Sequence, residues 1–333
     1  MTPKNVISAL AILLVLGQGM FHGNSAYANS AQENGETFAT ASRRVQMLYQ
    51  SEQFTALEDA INELVHTNDK FISGKPKASA AYWAFRQQFP APGVATNELE
   101  KIKRWREQIP QSSYAIFAES RYWYAMAWNG RGGNFAGRVQ DESWKLFHAN
   151  LQRAESLLLQ SPASLKDTPL WHNLLLAISQ DSTEVKSNPE QVLAAAALKW
   201  PQYYDFYEVR LTRLVPKWGG DWQTVDAFIS HWAKKQSKLE GKSLYARLYI
   251  SMQSSNAVPA SEIKPHWGKL KGSLRDLVKR YPDPKFKNLF ASYACLLGDA
   301  KQFRETMTAS SATELNPMDW LPDAPYASCV DLK

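Results

Sequence analysis

The sequence predicts an all-α fold, with helical hairpins stacked as a TPR-like α-solenoid or as an irregular helical array. Three observations lead there. Apolar residues recur at i, i+3 and i+4 along most of the chain, the spacing of amphipathic helices. No Asn-Gly or Asp-Gly turn stands between alternating runs of Val, Ile and Thr, so hairpin strands have no signature. Helix-turn-helix units of about 30 to 45 residues recur, the size at which stacked helical repeats are read from sequence.

The N-terminus reads differently from the rest. Lys4 precedes an apolar run from Val6 to Leu16, and Ala26-Tyr27-Ala28 follows in the small-x-small order of a cleavage site. Residues 1–28 are therefore expected to be a signal peptide, with cleavage after Ala28 and a periplasmic or secreted product. The run is short of the ~20 residues a spanning helix needs, and no later segment approaches that length, so no transmembrane segment is expected after cleavage. Residues 29–333 then form one helical domain, with a composition break near Pro92 that would set off 29–92 as a subdivision.

Within that domain the elements follow in order. Val45, Leu48 and Tyr49 mark a first helix, Gln50 to Glu52 break it, and Phe54, Leu57, Ile61, Leu64 and Val65 mark a second. The stretch from Ser112 to Asn129 carries two stripes: Ala115, Ala118, Tyr122 and Ala125 on one, and Phe117, Arg121, Tyr124 and Trp128 on the next. Small residues let a neighbouring helix approach and the rings fill the wider gap beside it. The helix should end after Gly130, with Gly132 and Gly133 free for positive φ. Arg121, Asn129 and Asn134 are the expected partners of the polar atoms on the buried rings.

Asp141 and Glu142 open the helix of Trp144, Phe147 and Leu151, where acids favour the positive end of the dipole. Leu174, Leu175 and Ile178 mark another helix. Asn188 and Pro189 are the cap and first residue of the one carrying Val192, Leu193, Ala196 and Ala197. Tyr203 to Val215 reads as a helix stopped by "PKWGG", and Asp221 caps Trp222 to Lys235. At the end, "KNLFASYACLLGDAKQFRETM" reads helix, Gly298-Asp299 turn, helix.

Two cysteines, Cys295 and Cys329, are an even number in a chain addressed to an oxidising compartment, so a disulfide between them is expected to pin the Pro-rich tail. The formal charge of +6 falls to +5 once Lys4 leaves with the signal peptide. A nucleic-acid binder concentrates Lys and Arg into a stripe or arm, whereas "KIKRWR" and "LKGSLRDLVKR" alternate with apolar residues as solvated helix faces do, so no nucleic-acid partner is expected.

Reactive constellations are absent at the level of motif. His66, His148, His172, His231 and His266 have no second histidine three or four residues away, so no metal and no cofactor are expected. No Gly-x-Ser-x-Gly occurs, and "QSKLEGKS" lacks the first glycine and the preceding strand of a phosphate loop. Paired carboxylates are the remaining catalytic pattern: Glu119, Asp141 with Glu142, and Asp205 with Glu208 could serve a glycan hydrolase only at a defined separation. No catalytic residue is assigned. The candidates for partner binding lie at two corners rich in aromatic residues and glycine: Arg121, Trp128, Arg131 and Arg138 at the first, and Trp218, Asp221 and Trp222 at the second.

At these corners the chain resembles a bacterial family catalogued as domain of unknown function 4034. The resemblance rests on Tyr124, Ala127-Trp128, Arg131-Gly132 and Ala136, then Trp144, Phe147 and Leu151, then Pro201, Tyr203-Tyr204 and the "PKWGG" corner, and extends from about Leu48 to Cys329. Asn129-Gly130 replaces a less flexible pair, which would end the helix sooner. The resemblance implies a helical, exported or membrane-associated protein and lends no catalytic residues.

Together these readings favour a periplasmic, non-catalytic helical-repeat protein that binds a protein or peptide of the cell envelope, as an assembly factor or an immunity-type protein. An envelope glycan hydrolase and a purely structural domain without a specific ligand are the alternatives.

Overall fold

A computed structural model describes residues 36–256 and 266–332. The expected signal peptide and most of the loop read at 253–262 lie outside the described residues.

The first hairpin is α1 (Phe38–Gln50) and α2 (Phe54–Val65). Thr37 caps α1 through a reciprocal box with Thr40, and the turn places Glu52 at φ 58°. Val45, Tyr49, Phe54, Leu57, Ile61 and Leu64 are buried, as their spacing requires. The next helices are α3 (Ala78–Gln88) and α4 (Glu98–Gln108), then the long pair α5 (Ser113–Arg131) and α6 (Asp141–Gln160). Along α5 the alanines at 115, 118 and 125 are fully covered, and α6 packs closely against this helix.

Then come α7 (Ala163–Lys166), α8 (Pro169–Ser179), α9 (Pro189–Lys199) and α10 (Asp205–Leu211). Asn188 and Pro189 open α9 as cap and first residue. The second half holds α11 (Trp222–Lys235), α12 (Ser237–Glu240), α13 (Ser243–Asn256), α14 (Trp267–Arg280), α15 (Pro284–Leu296), α16 (Ala300–Thr308) and α17 (Tyr326–Cys329). No strand forms among the described residues beyond an isolated bridge between Lys70 and Pro76.

One hydrophobic core runs from Ala41 to Leu321 and crosses Pro92 without a break, since Phe89 and Val94 both belong to it. The Asn129 amide accepts from the Gly93 amide and donates to the Val94 carbonyl, stitching that loop to α5. A smaller cluster surrounds the Cys295–Cys329 disulfide and includes Phe303, Trp320 and Ala324.

Two helix ends differ from the sequence reading. The α5 helix continues through Asn129 and Gly130 to Arg131, and Gly132 alone of the two following glycines takes positive φ, at 72°. The reason is packing. A Cβ on Gly130 would stand 3.3 Å from the Cβ of Leu146, so glycine there admits α6 rather than ending the helix. The stretch Tyr203–Val215 is helical only over α10. Beyond Leu211 the chain turns back on itself so tightly that a Cβ on Gly220 would lie 1.8 Å from the Leu214 carbonyl oxygen.

Of the two helical architectures expected, the contacts fit the irregular array. In an open solenoid each repeat touches only its neighbours. Here the connection between α2 and α3, residues 66–77, reaches far along the chain. Arg247 of α13 donates to the Ser73 carbonyl at 2.7 Å, and Lys75 pairs with Asp205 at 2.9 Å and with Glu208 at 3.4 Å. Gly74, at φ 79°, lies flat against the Tyr281 ring, which a Cβ would approach to 2.3 Å. Gly74→Ala is therefore expected to destabilise the fold by about 1 to 2 kcal/mol from the left-handed backbone alone, with the ring displacement in addition. Gly272→Ala, in open space inside α14, should be neutral or stabilising. Urea midpoints of the two variants check this.

Candidate functional site

The stripe Phe117, Arg121, Tyr124, Trp128 and Arg131 follows one face of α5, and its C-terminal end meets the second corner. The Trp128 and Trp218 rings stand edge to face at 5.9 Å, and Trp128 meets Phe147 of α6 at 5.2 Å. Two arginines are layered into the rings. Arg131 lies over Trp128, Trp144 and Trp218 at 5.3, 5.1 and 5.9 Å, and Arg213 lies over Trp218 and Trp128 at 4.1 and 5.0 Å. Such stacking suits guanidinium, which is weakly hydrated and planar.

Asp181, just past the end of α8, ties the cluster together. It accepts from the Tyr124 hydroxyl at 2.9 Å, from Trp128 Nε1 at 3.1 Å and from Arg213 Nε at 2.6 Å. These bonds take the place expected for Arg121, Asn129 and Asn134. Burial pushes the Asp181 carboxyl above the usual carboxylate range, and Arg213, Tyr124 and Trp128 pull it back by binding the charged form.

Arg131 is placed otherwise. Its Nη1 donates to the carbonyls of Gly132 and Asn134 at 3.1 Å each, closing the turn, and no carboxylate among the described residues pairs with it. Burial and then the neighbouring Arg213 hold its pKa below the usual arginine range, with Asp181 opposing. Neither Asp141 nor Glu142 serves it, and Glu142 pairs with Lys145 instead.

Around this cluster the surface is apolar. Phe135 is 79% exposed, Leu146 57% and Trp218 38%. Arg138, at the end of the 3-10 turn Ala136–Arg138, is exposed. Asp221 caps α11 by accepting from the Thr224 amide at 2.7 Å, so its carboxylate is engaged at home, and Trp222 is half-buried. Arg121, at 4% exposure, lies inside the fold and out of reach of a macromolecular partner. Three of the seven candidates, Trp128, Arg131 and Trp218, thus meet in one cluster, Asp221 is a helix cap and Arg121 is internal.

Phe135, Leu146, Arg213 and Asp181 were not singled out from sequence. A lone exposed Phe between glycines is the one local signal, at Phe135. Arg213 and Asp181 carry none, because their roles depend on contacts between segments.

Glu119 and Asp141 stand too far apart to act as a hydrolytic pair. Ser120 Oγ donates to the Ala154 carbonyl across the α5/α6 hairpin, so Glu119 lies level with that end of α6. Asp141 is at the opposite end, about 20 Å away at 1.5 Å per residue, well beyond the separation of glycosidase acids. Glu119 is bound by Arg106 at 2.7 Å. Asp205 and Glu208 share Lys75. Burial lowers that ammonium's pKa, but the two acids together lift it above the ordinary lysine range. Among the described residues no group of His, Cys, Asp and Glu is placed to hold a metal, and no helix is long and apolar enough to cross a membrane.

Residues 42–171 match the family described as Domain of unknown function (DUF4034). The match includes the first corner and α6. The "PKWGG" corner lies beyond it, so the matched segment ends before the partner it packs against. No curated protein and no solved structure matches the chain.

Proposed function

We propose that this chain, which carries the DUF4034 domain over residues 42–171, is an exported protein of the cell envelope that binds a polypeptide partner at the joined corners. One observation supports the reading above others: Trp128 and Trp218, far apart in sequence, stack in a single arginine-layered cluster whose rim exposes Phe135, Leu146 and Trp218. Trp and Arg are the residue types that dominate contact energies when a partner excludes water from them. Arg131, itself buried beneath the rings, orders the turn through Gly132 and Asn134, so a partner would meet a formed surface. The export signal read from residues 1–28 and the Cys295–Cys329 disulfide support an oxidising compartment.

The test is affinity purification of the tagged full chain from the periplasm beside a Phe135→Ser/Leu146→Ser variant. Both side chains are largely solvent-exposed, so the variant should unfold at the same urea concentration as the wild type. The expected result is a polypeptide retained by the wild type and released by the variant. Two hot-spot positions at about 1 kcal/mol or more each correspond to at least a tenfold loss of affinity. Equal retention by both proteins, or nothing above background, would count against the proposal.

A further inference from the structure

The positive charge of the chain is not spread evenly. Residues 231–247 and 266–280 carry ten Lys and Arg against two acids, Glu240 and Asp276, whereas the rest of the sequence holds 28 of the 38 Lys and Arg against 30 of the 32 Asp and Glu. The whole surplus therefore sits in two short segments.

The fold lays these segments side by side. At one end Lys269 of α14 donates to the Ser230 hydroxyl of α11 and lies 4.1 Å from the Tyr245 ring. At the other, Arg280 of α14 donates to the Leu239 carbonyl of α12 at 3.4 Å, and Asp276 accepts from the Lys242 amide at 2.7 Å and from Arg280 Nε at 3.0 Å. The acids are engaged by the fold. Glu240 is fully buried and accepts from Gln202, Tyr204, Tyr281 and Ser243, while Asp276 holds the turn at Lys242. Asp226, bonded to the same Ser230, accepts from the Tyr245 and Tyr249 hydroxyls at 2.6 Å each.

The cations face outward. Lys234, one helical turn past Ser230, and Lys238, Lys242, Lys269, Lys279 and Arg280 are all exposed. Of these only Arg280 forms an ion pair among the described residues, with Asp276. Leu239, in the short α12 between Lys238 and the buried Glu240, is 48% exposed. A leucine thus stands open to solvent at an edge lined by lysines.

We propose that this edge of α11, α12 and α14 docks on an anionic phospholipid bilayer, with the lysines at the headgroup phosphates and Leu239 entering the boundary of the acyl chains. Binding of this kind combines buried apolar area with attraction to anionic lipid, and both components are present. Five of the six exposed cations are Lys, a compact point charge that suits dispersed headgroups, whereas nucleic-acid recognition favours arginine forks and exposed rings on which bases stack. The rings at this edge, Trp232 and Tyr245, are buried. The contact is peripheral, since no helix among the described residues is long and apolar enough to cross a membrane. None of the corner residues takes part, so the edge can be engaged whatever binds there.

The experiment is co-sedimentation of the full chain with vesicles of equal parts phosphatidylglycerol and phosphatidylcholine, beside vesicles of phosphatidylcholine alone. The expected result is binding that requires phosphatidylglycerol and falls as sodium chloride screens the exposed charges. Contact through the apolar run from Val6 to Leu16 would instead appear on both kinds of vesicle. A lysine at an anionic surface strengthens binding about fivefold, so Lys234→Gln/Lys238→Gln/Lys279→Gln should bind about a hundredfold more weakly. None of the three is ion-paired among the described residues, and the variant should keep the wild-type urea midpoint. Arg43→Gln/Lys166→Gln/Lys186→Gln removes the same charge from exposed positions on other segments and should bind as the wild type does. Leu239→Ser should weaken binding several-fold at low and high salt alike. Equal binding to both kinds of vesicle or to neither, equal loss in the two triple variants, or undiminished binding by the lysine variant or by Leu239→Ser would overturn the proposal. So would binding to duplex DNA or to poly-glutamate with none to the anionic vesicles.

Discussion

Asp181→Ala is expected to destabilise the protein by about 3 to 5 kcal/mol, the range for removing one partner of a buried ion pair. The carboxylate accepts from three side chains on two other segments, Tyr124 and Trp128 of α5 and Arg213 beyond α10. Its loss leaves a guanidinium between two tryptophan rings without a counter-charge, and also strands a buried hydroxyl and an indole N–H. Asp181→Asn keeps an acceptor oxygen and should fall between the wild type and alanine. Asp181→Leu combined with Arg213→Met should recover much of the loss, since replacing both partners by apolar groups removes the stranded charge. Urea denaturation of the four proteins checks the order, and an Asp181→Ala midpoint equal to that of the wild type would show that the corners are joined by something other than this residue.

Removal of the Cys295–Cys329 disulfide is the second large effect. Closing a loop over a sequence separation of 34 should contribute about 3 to 4 kcal/mol on the chain-entropy account. The tail it returns to α15 is held by other bonds as well. Trp320 Nε1 donates to Asn288 Oδ1 at 3.1 Å, the Leu321 amide donates to Ser292 Oγ at 3.0 Å, and Ser292 Oγ donates to the Ala324 carbonyl at 2.8 Å. Cys295→Ser/Cys329→Ser should therefore keep a folded tail while lowering the urea midpoint. Hydrogen exchange should rise first in residues 309–332, because the cluster around Phe303 and Trp320 is small and separate from the main core. A midpoint unchanged from that of the oxidised wild type would contradict this.

Much of the fold is legible in the sequence because it is local. The first hairpin follows from Val45, Tyr49, Phe54 and Leu57 at helical spacing, α9 from the Asn188-Pro189 start, and α11 from the Asp221 cap. The disulfide follows from an even number of cysteines in a chain whose N-terminus reads as an export signal. What is missed depends on contacts between segments distant in the chain. Gly130 looks like a helix stop until Leu146 is seen against it, and Gly74 has no evident purpose without Tyr281. The irregularity of the array lies in residues 66–77, whose reach to Arg247 no periodicity encodes.

The candidate site divides in the same way. Trp128, Arg131 and Trp218 stand out by composition, and they do meet. Arg121 stands out equally, but it points inward, since helical position says which stripe a residue joins and leaves open which stripe the fold buries. Asp181 had no signal, being an ordinary acid in a polar turn until Tyr124, Trp128 and Arg213 converge on it.

Hydrogen exchange of the protein with its recovered partner bound tests the central claim most directly. The account predicts slowed exchange in residues 131–140 and 216–222 together, because both corners contribute to one surface. Protection confined to other segments, with both corners exchanging as in the free protein, would contradict it.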